Sequence, residues 1–273
     1  MGDQPPSARP RTLAQVRDAG QNDRHLLADP TYARVIVRRI SPYVTFLITR
    51  FTPLPADTVT GLSIAAGVAG GLLIVPATGA AYVLAVVLLQ LAYLLDVVDG
   101  EVARVRRTSG LRGRYLDLAG HFIQNRALYG AAGYALMVEA HFAAWATALA
   151  MLGVAFASPF GDQARLNVTG ERPAAADVSH GRIAASPFPS GASPLAILYW
   201  LYRRVAFVWN YPASMNLFCL ALLADAARMT FGAAARPLVL PIFAGAFAGT
   251  LAAKQLANAV RILRSGSWTT AGR

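Results

Sequence analysis

Residues 81–107 read AYVLAVVLLQLAYLLDVVDGEVARVRR. No charge appears before Asp96; Asp99 follows one helical turn later, and Arg104, Arg106 and Arg107 close the stretch. An apolar run of this length, ended by acids and then by a basic cluster, reads as a helix crossing a bilayer, for which about 20 apolar residues suffice. Comparable runs lie at about 58–75, 113–138, the stretch ending near 159, 212–229 and 238–260, which makes six spans. Composition agrees, with 55% hydrophobic and 14% charged residues, against roughly 25% charged in soluble domains. So few charges would not cover the surface of a soluble chain of 273 residues. The expected fold class is therefore an all-α integral membrane protein with six transmembrane helices.

The net charge of +11 comes almost wholly from arginine, since Lys254 is the only lysine. In a soluble chain this balance would suggest nucleic acid. Here the arginines lie between apolar runs, with no interleaved aromatics of the kind that stack bases, so nucleic acid is excluded as a partner. Their placement sets orientation instead. The link between the second and third spans carries Arg104, Arg106, Arg107, Arg112 and Arg114, and the link after the fourth carries Arg165, Arg172, Arg182, Arg203 and Arg204. By the positive-inside rule both termini and these links face the cytoplasm. Abundant alanine and arginine point to a high-GC bacterial source, and so to a bacterial inner membrane. The lone Cys219 permits no intramolecular disulfide.

Residues 1–29 are polar and carry Pro5, Pro6 and Pro10 with no apolar core, so they read as a disordered cytoplasmic tail rather than a signal peptide. Residues 30–54 mix Arg34, Arg38, Arg39 and Arg50 with Val35, Ile36, Ile40, Phe46 and Leu47. That pattern predicts an amphipathic helix lying in the interface against membrane lipids, with a break at Ser41-Pro42. The catalytic domain is expected over 55–264, with a cytoplasmic loop and a second interfacial segment at 161–209, and a tail at 265–273. Gly61, Gly67, Gly70 and Gly71 would allow the first span to pack closely on its neighbours.

The chemistry concentrates between Asp96 and His121. Asp96 and Asp99 are three apart and Asp117 and His121 four apart, so each pair shares a helix face. A short link makes the two helices antiparallel neighbours and can bring the four side chains together. Carboxylates so gathered repel unless cations lie between them, and hard divalent ions such as Mg²⁺ suit oxygen ligands and substrate phosphates. Gly100, Ala103 and Gly113 form a small-residue surface for a bulky ligand, and Arg104 offers a guanidinium to a phosphate. Metal, phosphate and a basic rim together suit phosphoryl transfer.

At these residues the chain resembles the CDP-alcohol phosphotransferase family. The family pattern D-x2-D-G-x2-A-R-x8-G-x3-D-x3-D is matched in register at Asp96, Asp99, Gly100, Ala103, Arg104, Gly113 and Asp117. The resemblance implies a six-span enzyme that displaces CMP from a CDP-linked donor, often CDP-diacylglycerol, with the hydroxyl of an acceptor alcohol. It also implies two Mg²⁺ or Mn²⁺ ions on Asp96, Asp99 and Asp117, a homodimer, and donor contact at Asp57, where the family often has asparagine. At the last position the family's proposed general base is aspartate, and here it is His121. A histidine, with an unperturbed pKa near 6.5, can act as the base or serve as a further metal ligand. Its presence also admits a non-catalytic or altered family member. A membrane metal-ion transporter is a third reading, although its acids belong near the bilayer midplane rather than beside a basic link.

Other polar residues have plainer explanations. Arg126 points away from the Asp117–His121 stripe and suggests a structural ion pair. Arg38 and Arg39 read as headgroup anchors, and Lys254 as a snorkelling cation.

Overall fold

The computed structural model describes residues 10, 12–21, 32–139, 213–232, 236–247 and 249. Helices, turns and short links make up all of these, with no strand among the described residues. The chain forms two compact units, one of residues 1–76 and 80–128, the other of 77–79 and 129–273. The candidate site belongs entirely to the first.

Helix α1, Leu13–Gly20, falls inside the segment expected to be a disordered tail, so that expectation is corrected over these residues. Its start is fixed locally: Gln15 N–H donates to Thr12 Oγ1 while Thr12 N–H donates to Gln15 Oε1, both at 3.3 Å. This reciprocal cap satisfies two otherwise orphaned donors. Val16 is buried, and Arg17 lies over the Tyr43 ring at 5.8 Å from its centre.

A single wide turn, Ala33–Val37, leads directly into α2, Arg38–Phe51. The expected break at Ser41-Pro42 does not occur, because Pro42 lies inside α2. Proline removes the hydrogen bond to the carbonyl four residues back and crowds it. That carbonyl belongs to Arg38, and it accepts from Gln21 Nε2 at 2.9 Å. The faces of α2 are inverted relative to a soluble helix. Ser41, Pro42, Thr45 and Thr49 are buried, whereas Val35 and Ile36 in the wide turn and Ile40, Tyr43, Leu47 and Phe51 in α2 are exposed.

Helix α3, Ala56–Leu72, follows Pro55 and carries Asp57 in its first turn, where a negative charge meets the positive helix end. Three of its four glycines are close-approach positions. A Cβ at Gly70 would stand 3.1 Å from the Ala85 carbonyl oxygen, one at Gly71 2.8 Å from the Ala127 carbonyl carbon, and one at Gly67 2.6 Å from Gln124 Oε1. At Gly61 nothing among the described residues lies within 4 Å of that position. Between α3 and α4, Val59, Val98 and Val102 form a buried apolar cluster flanked by Val44, Ile48 and Leu95.

Helix α4, Gly79–Val105, is the one helix among the described residues long and apolar enough to cross a membrane. Helix α3 is apolar too, but with 17 residues it is shorter. The C-terminus of α4 is closed by Thr108 N–H to Ala103 O at 2.8 Å and Arg107 N–H to Arg104 O at 3.1 Å. Arg107 itself has φ 57°, the left-handed conformation this closure requires. Helix α5, Leu111–Glu139, then carries Asp117 and His121.

In the second unit, α6, Ala213–Phe231, spans the region expected as the fifth crossing. Its Asp225 is fully buried and caps the next helix, residues 239–247, by accepting from the N–H groups of Leu238, Val239 and Leu240 at 2.7–3.0 Å. Tyr129, Phe218, Phe243 and Phe247 pack with ring centres 5.0–6.0 Å apart. The expected fourth span, the 161–209 segment, Arg203, Arg204 and Lys254 lie outside the described residues.

Candidate active site

The site is made where the last turns of α4 face the first turns of α5. Helical period places Asp96 and His121 on facing sides, and His121 Nε2 lies 3.0 Å from Asp96 Oδ1. The same nitrogen is 3.7 Å from Asp117 Oδ1, one turn earlier on α5. Ligand atoms of Asp96, Asp117 and His121 all fall within 4.8 Å of one another. Asp96 and His121 are half-buried and Asp117 is exposed, so the cluster opens to its surroundings on one side.

Asp99 takes a different direction from its neighbour. It is buried, and its Oδ2 accepts from Thr60 Oγ1 of α3 at 2.5 Å. Three of the four groups expected to converge are therefore within reach of one another, while the fourth is tied to α3. The α3–α4–α5 junction is held by further polar contacts, Ser63 Oγ to the Ala92 carbonyl at 2.9 Å and Gln124 Nε2 to Ser63 Oγ at 3.3 Å.

Two carboxylates and an imidazole make a donor set that fits a divalent cation. Oxygen ligands suit Mg²⁺ and Mn²⁺ alike, and the nitrogen tilts the preference toward Mn²⁺. A cation there would also remove the repulsion between Asp96 and Asp117.

The small residues around the cluster have distinct settings. Among the described residues nothing lies within 4 Å of the position a Cβ at Gly113 would take. A Cβ at Gly100 would lie 3.2 Å from Arg104 Nη1, so the guanidinium covers that glycine. Ala103, on the same turn, is partly exposed. Arg104 Nε donates to the Gly20 carbonyl at 2.7 Å. Asp57 pairs with Arg112 at 3.0 Å across an exposed gap, joining the start of α3 to the start of α5.

Sequence reasoning misses two residues that matter to the site. One is Thr60, the partner of Asp99. The other is Glu101, fully buried, whose Oε1 accepts from Ser41 Oγ at 2.7 Å, Gln21 Nε2 at 3.0 Å and Arg38 Nη1 at 3.0 Å, and whose Oε2 accepts from Thr45 Oγ1 at 2.7 Å. Arg38 is thus part of a buried ion pair, which corrects its reading as a headgroup anchor; Arg39 is exposed. The stripe Ser41, Thr45 and Thr49, each four residues apart on a helix with an apolar opposite face, is the signal that a buried acid needs donors. Arg106 likewise has a structural use. Its guanidinium donates to the carbonyls of Ile48, Thr52, Pro53 and Leu54, holding the α2–α3 link. Arg126 donates to the Phe122 carbonyl at 2.9 Å and lies over that ring.

No curated protein matches the chain in sequence. Residues 54–235 match the family model described as CDP-alcohol phosphatidyltransferase, about two-thirds of the 273-residue chain and all of the Asp96–His121 segment. The chain belongs to the CDP-alcohol phosphatidyltransferase family, membrane-associated transferases of lipid synthesis that use divalent metal ions to pass a phosphate-linked alcohol from a CDP-alcohol.

Proposed function

We propose that this protein transfers a substituted phosphate from a CDP-linked lipid, CDP-diacylglycerol being the favoured donor, to the hydroxyl of an acceptor alcohol, with release of CMP. The observation that carries this reading is the convergence of Asp96, Asp117 and His121 within 4.8 Å, with Gly100, Ala103 and Gly113 one or two turns away on the same two helices. A divalent ion, Mg²⁺ or Mn²⁺, held by Asp96, Asp117 and His121 with Asp99 alongside, would supply charge stabilisation for the pyrophosphate. The resemblance implies two such ions. Arg104 is assigned to the donor phosphates and Asp57 to the donor end of α3.

In the reaction the acceptor oxygen bonds to the phosphorus that carries the donor alcohol. The bond from that phosphorus to the CMP oxygen breaks, and CMP leaves with the electron pair. The proton lost by the acceptor hydroxyl passes to the His121 ring: with Nε2–H donating to Asp96 Oδ1 at 3.0 Å the remaining lone pair is on Nδ1, and Asp96 orients the ring and stabilises the imidazolium. A neutral imidazole offers a single lone pair, so it serves either as base or as metal ligand in any one state, and ligation through Nε2, which faces both carboxylates, requires the tautomer protonated on Nδ1.

The inverted α2, with hydroxyls inward and apolar residues outward, supports an interfacial helix against membrane lipids. We place the enzyme as a homodimer in a bacterial inner membrane, with its termini and site on the cytoplasmic side, on the strength of the arginine distribution and the resemblance. Loss or alteration of transfer is the second reading, and its support is histidine where the family pattern has aspartate.

The test is CMP release from CDP-diacylglycerol with Mg²⁺ or Mn²⁺ against a panel of polyols and polyol phosphates. His121→Ala is expected to lower CMP release by about 10³-fold, while CDP-alcohol binding remains measurable. If Mn²⁺ affinity falls with it, His121 is a ligand; if that affinity holds, His121 is the base. Unchanged turnover would sink both assignments.

A further inference from the structure

We propose that the N-terminal arm, residues 12–21, is a positioning element that holds Arg104 for the phosphates of the donor. The arm lies outside residues 54–235, the part of the chain that matches the family model. It nevertheless ends against the motif residues of α4. Arg104 Nε donates to the Gly20 carbonyl at 2.7 Å, and Gln21 Nε2 reaches both Glu101 Oε1 at 3.0 Å and the Arg38 carbonyl at 2.9 Å. The approach is close: a Cβ at Gly20 would lie 3.4 Å from Glu101 Cβ and 3.7 Å from Val105 Cγ2. The helix leading to this point is itself fixed, by the Thr12–Gln15 cap, buried Val16 and the stacking of Arg17 on Tyr43.

The consequence for Arg104 is orientation. An unanchored arginine side chain samples many rotamers, and a bond at Nε fixes both the chain and the plane of the guanidinium. With Nε anchored on one side, the Nη groups lie over Gly100, on the surface assigned to the ligand. Ordering done in advance does not have to be done on binding, so the arm should appear as donor affinity. A carbonyl at the end of a short helix is also a favourable neighbour for a cation. Gln21 and Glu101 then act on the ligand only through Arg104, as positioning residues.

The role of the arm rests on the reading of Arg104 as a donor-phosphate contact, and the experiment separates the two. CDP binding to the purified chain with Mn²⁺ in detergent is measured by calorimetry. The proteins compared are wild type, a deletion of residues 2–21, Gln21→Ala, Arg104→Ala, and each arm variant combined with Arg104→Ala. We expect the deletion and Gln21→Ala to weaken CDP binding by about fivefold to tenfold. Once Arg104 is alanine, neither arm change should weaken it further, because groups acting through one residue are not additive. Mn²⁺ affinity without nucleotide should stay within about twofold, since the arm meets α4 at Glu101, Arg104 and Val105 and the cation would be held by Asp96, Asp117 and His121. Should the deletion prevent folding, Gln21→Ala in the two Arg104 backgrounds completes the same cycle. Unchanged CDP affinity, additive losses, or a parallel fall in Mn²⁺ affinity would each overturn the proposal. A wild-type protein that binds Mn²⁺ but no CDP would instead overturn the reading of the site, and the role of the arm with it.

Discussion

Asp96 and Glu101 stand five residues apart on α4, which turns their side chains about 140° from each other around the helix. Glu101 is wholly buried, and hydroxyl, amide and guanidinium donors from the N-terminal arm and α2 fill its two oxygens. Asp96 looks the other way, toward a second carboxylate and an imidazole. The contrast separates two uses of an acid at the end of an apolar helix. Where protein donors surround a carboxylate, it holds elements together; where carboxylates converge with an imidazole, a cation completes the arrangement. Asp99 lies between these cases, buried like Glu101 but bonded to Thr60 beside the cluster.

The largest effect expected from this contrast is on turnover. Asp117→Asn keeps the shape of the side chain and removes a charged ligand, so CMP release should fall by about 10³-fold or more. Thermal unfolding in detergent should hardly move, because relief of the repulsion with Asp96 offsets the weaker attraction to His121. A variant that kept its turnover, or lost both turnover and thermal stability, would break the distinction between the two acids.

Glu101→Ala should do the reverse, acting on the fold. It removes the Arg38 ion pair and leaves Ser41 and Thr45 without the acceptor they share, which costs about 3 kcal/mol of stability. Denaturant unfolding would detect that loss directly. Glu101→Gln should recover part of it, since the hydroxyl donors keep an acceptor while the ion pair with Arg38 is lost. Equal stability for alanine and glutamine variants would show that Glu101 contributes through its charge alone.

How much is legible in the sequence differs between the same two acids. Asp96, Asp117 and His121 can be placed together because helical period and a short link are local properties of the chain. The direction of Asp99 is not legible, since it depends on Thr60 meeting α4 in the packed α3–α4 pair. Glu101 is inconspicuous because it occupies a variable position of the pattern, and its partners come from sites 56–80 residues away in sequence. Helix α1 escapes notice for a different reason. Polar composition and flanking prolines suggest a tail, although the Thr12-to-Gln15 spacing is a readable start signal. Pro42 shows the same limit from the other side. A proline normally ends a helix, and only the distant Gln21 amide, donating to the Arg38 carbonyl, explains why this one does not.

The smallest expected effect concerns the link that joins the two halves of the acidic pattern. Arg107 closes α4 with φ 57°, a conformation that costs a residue with a Cβ about 1 kcal/mol and glycine much less. The closing bonds, Thr108 N–H to Ala103 O and Arg107 N–H to Arg104 O, involve only the backbone and survive a change of side chain. Arg107→Gly relieves that strain, which favours the variant by about 0.5–1 kcal/mol, and a net gain smaller than this measures what the arginine side chain itself contributes. Stabilisation with unchanged turnover would mean that the turn serves geometry and that Asp96 and Asp117 are held by the helices on either side. Stabilisation with a loss of turnover would mean that the Arg107 side chain, on the rim beside Arg104, also meets the substrate. A fall in stability would show instead that interactions of the arginine outweigh the strain of its backbone, and would move Arg107 into the same class as Arg106.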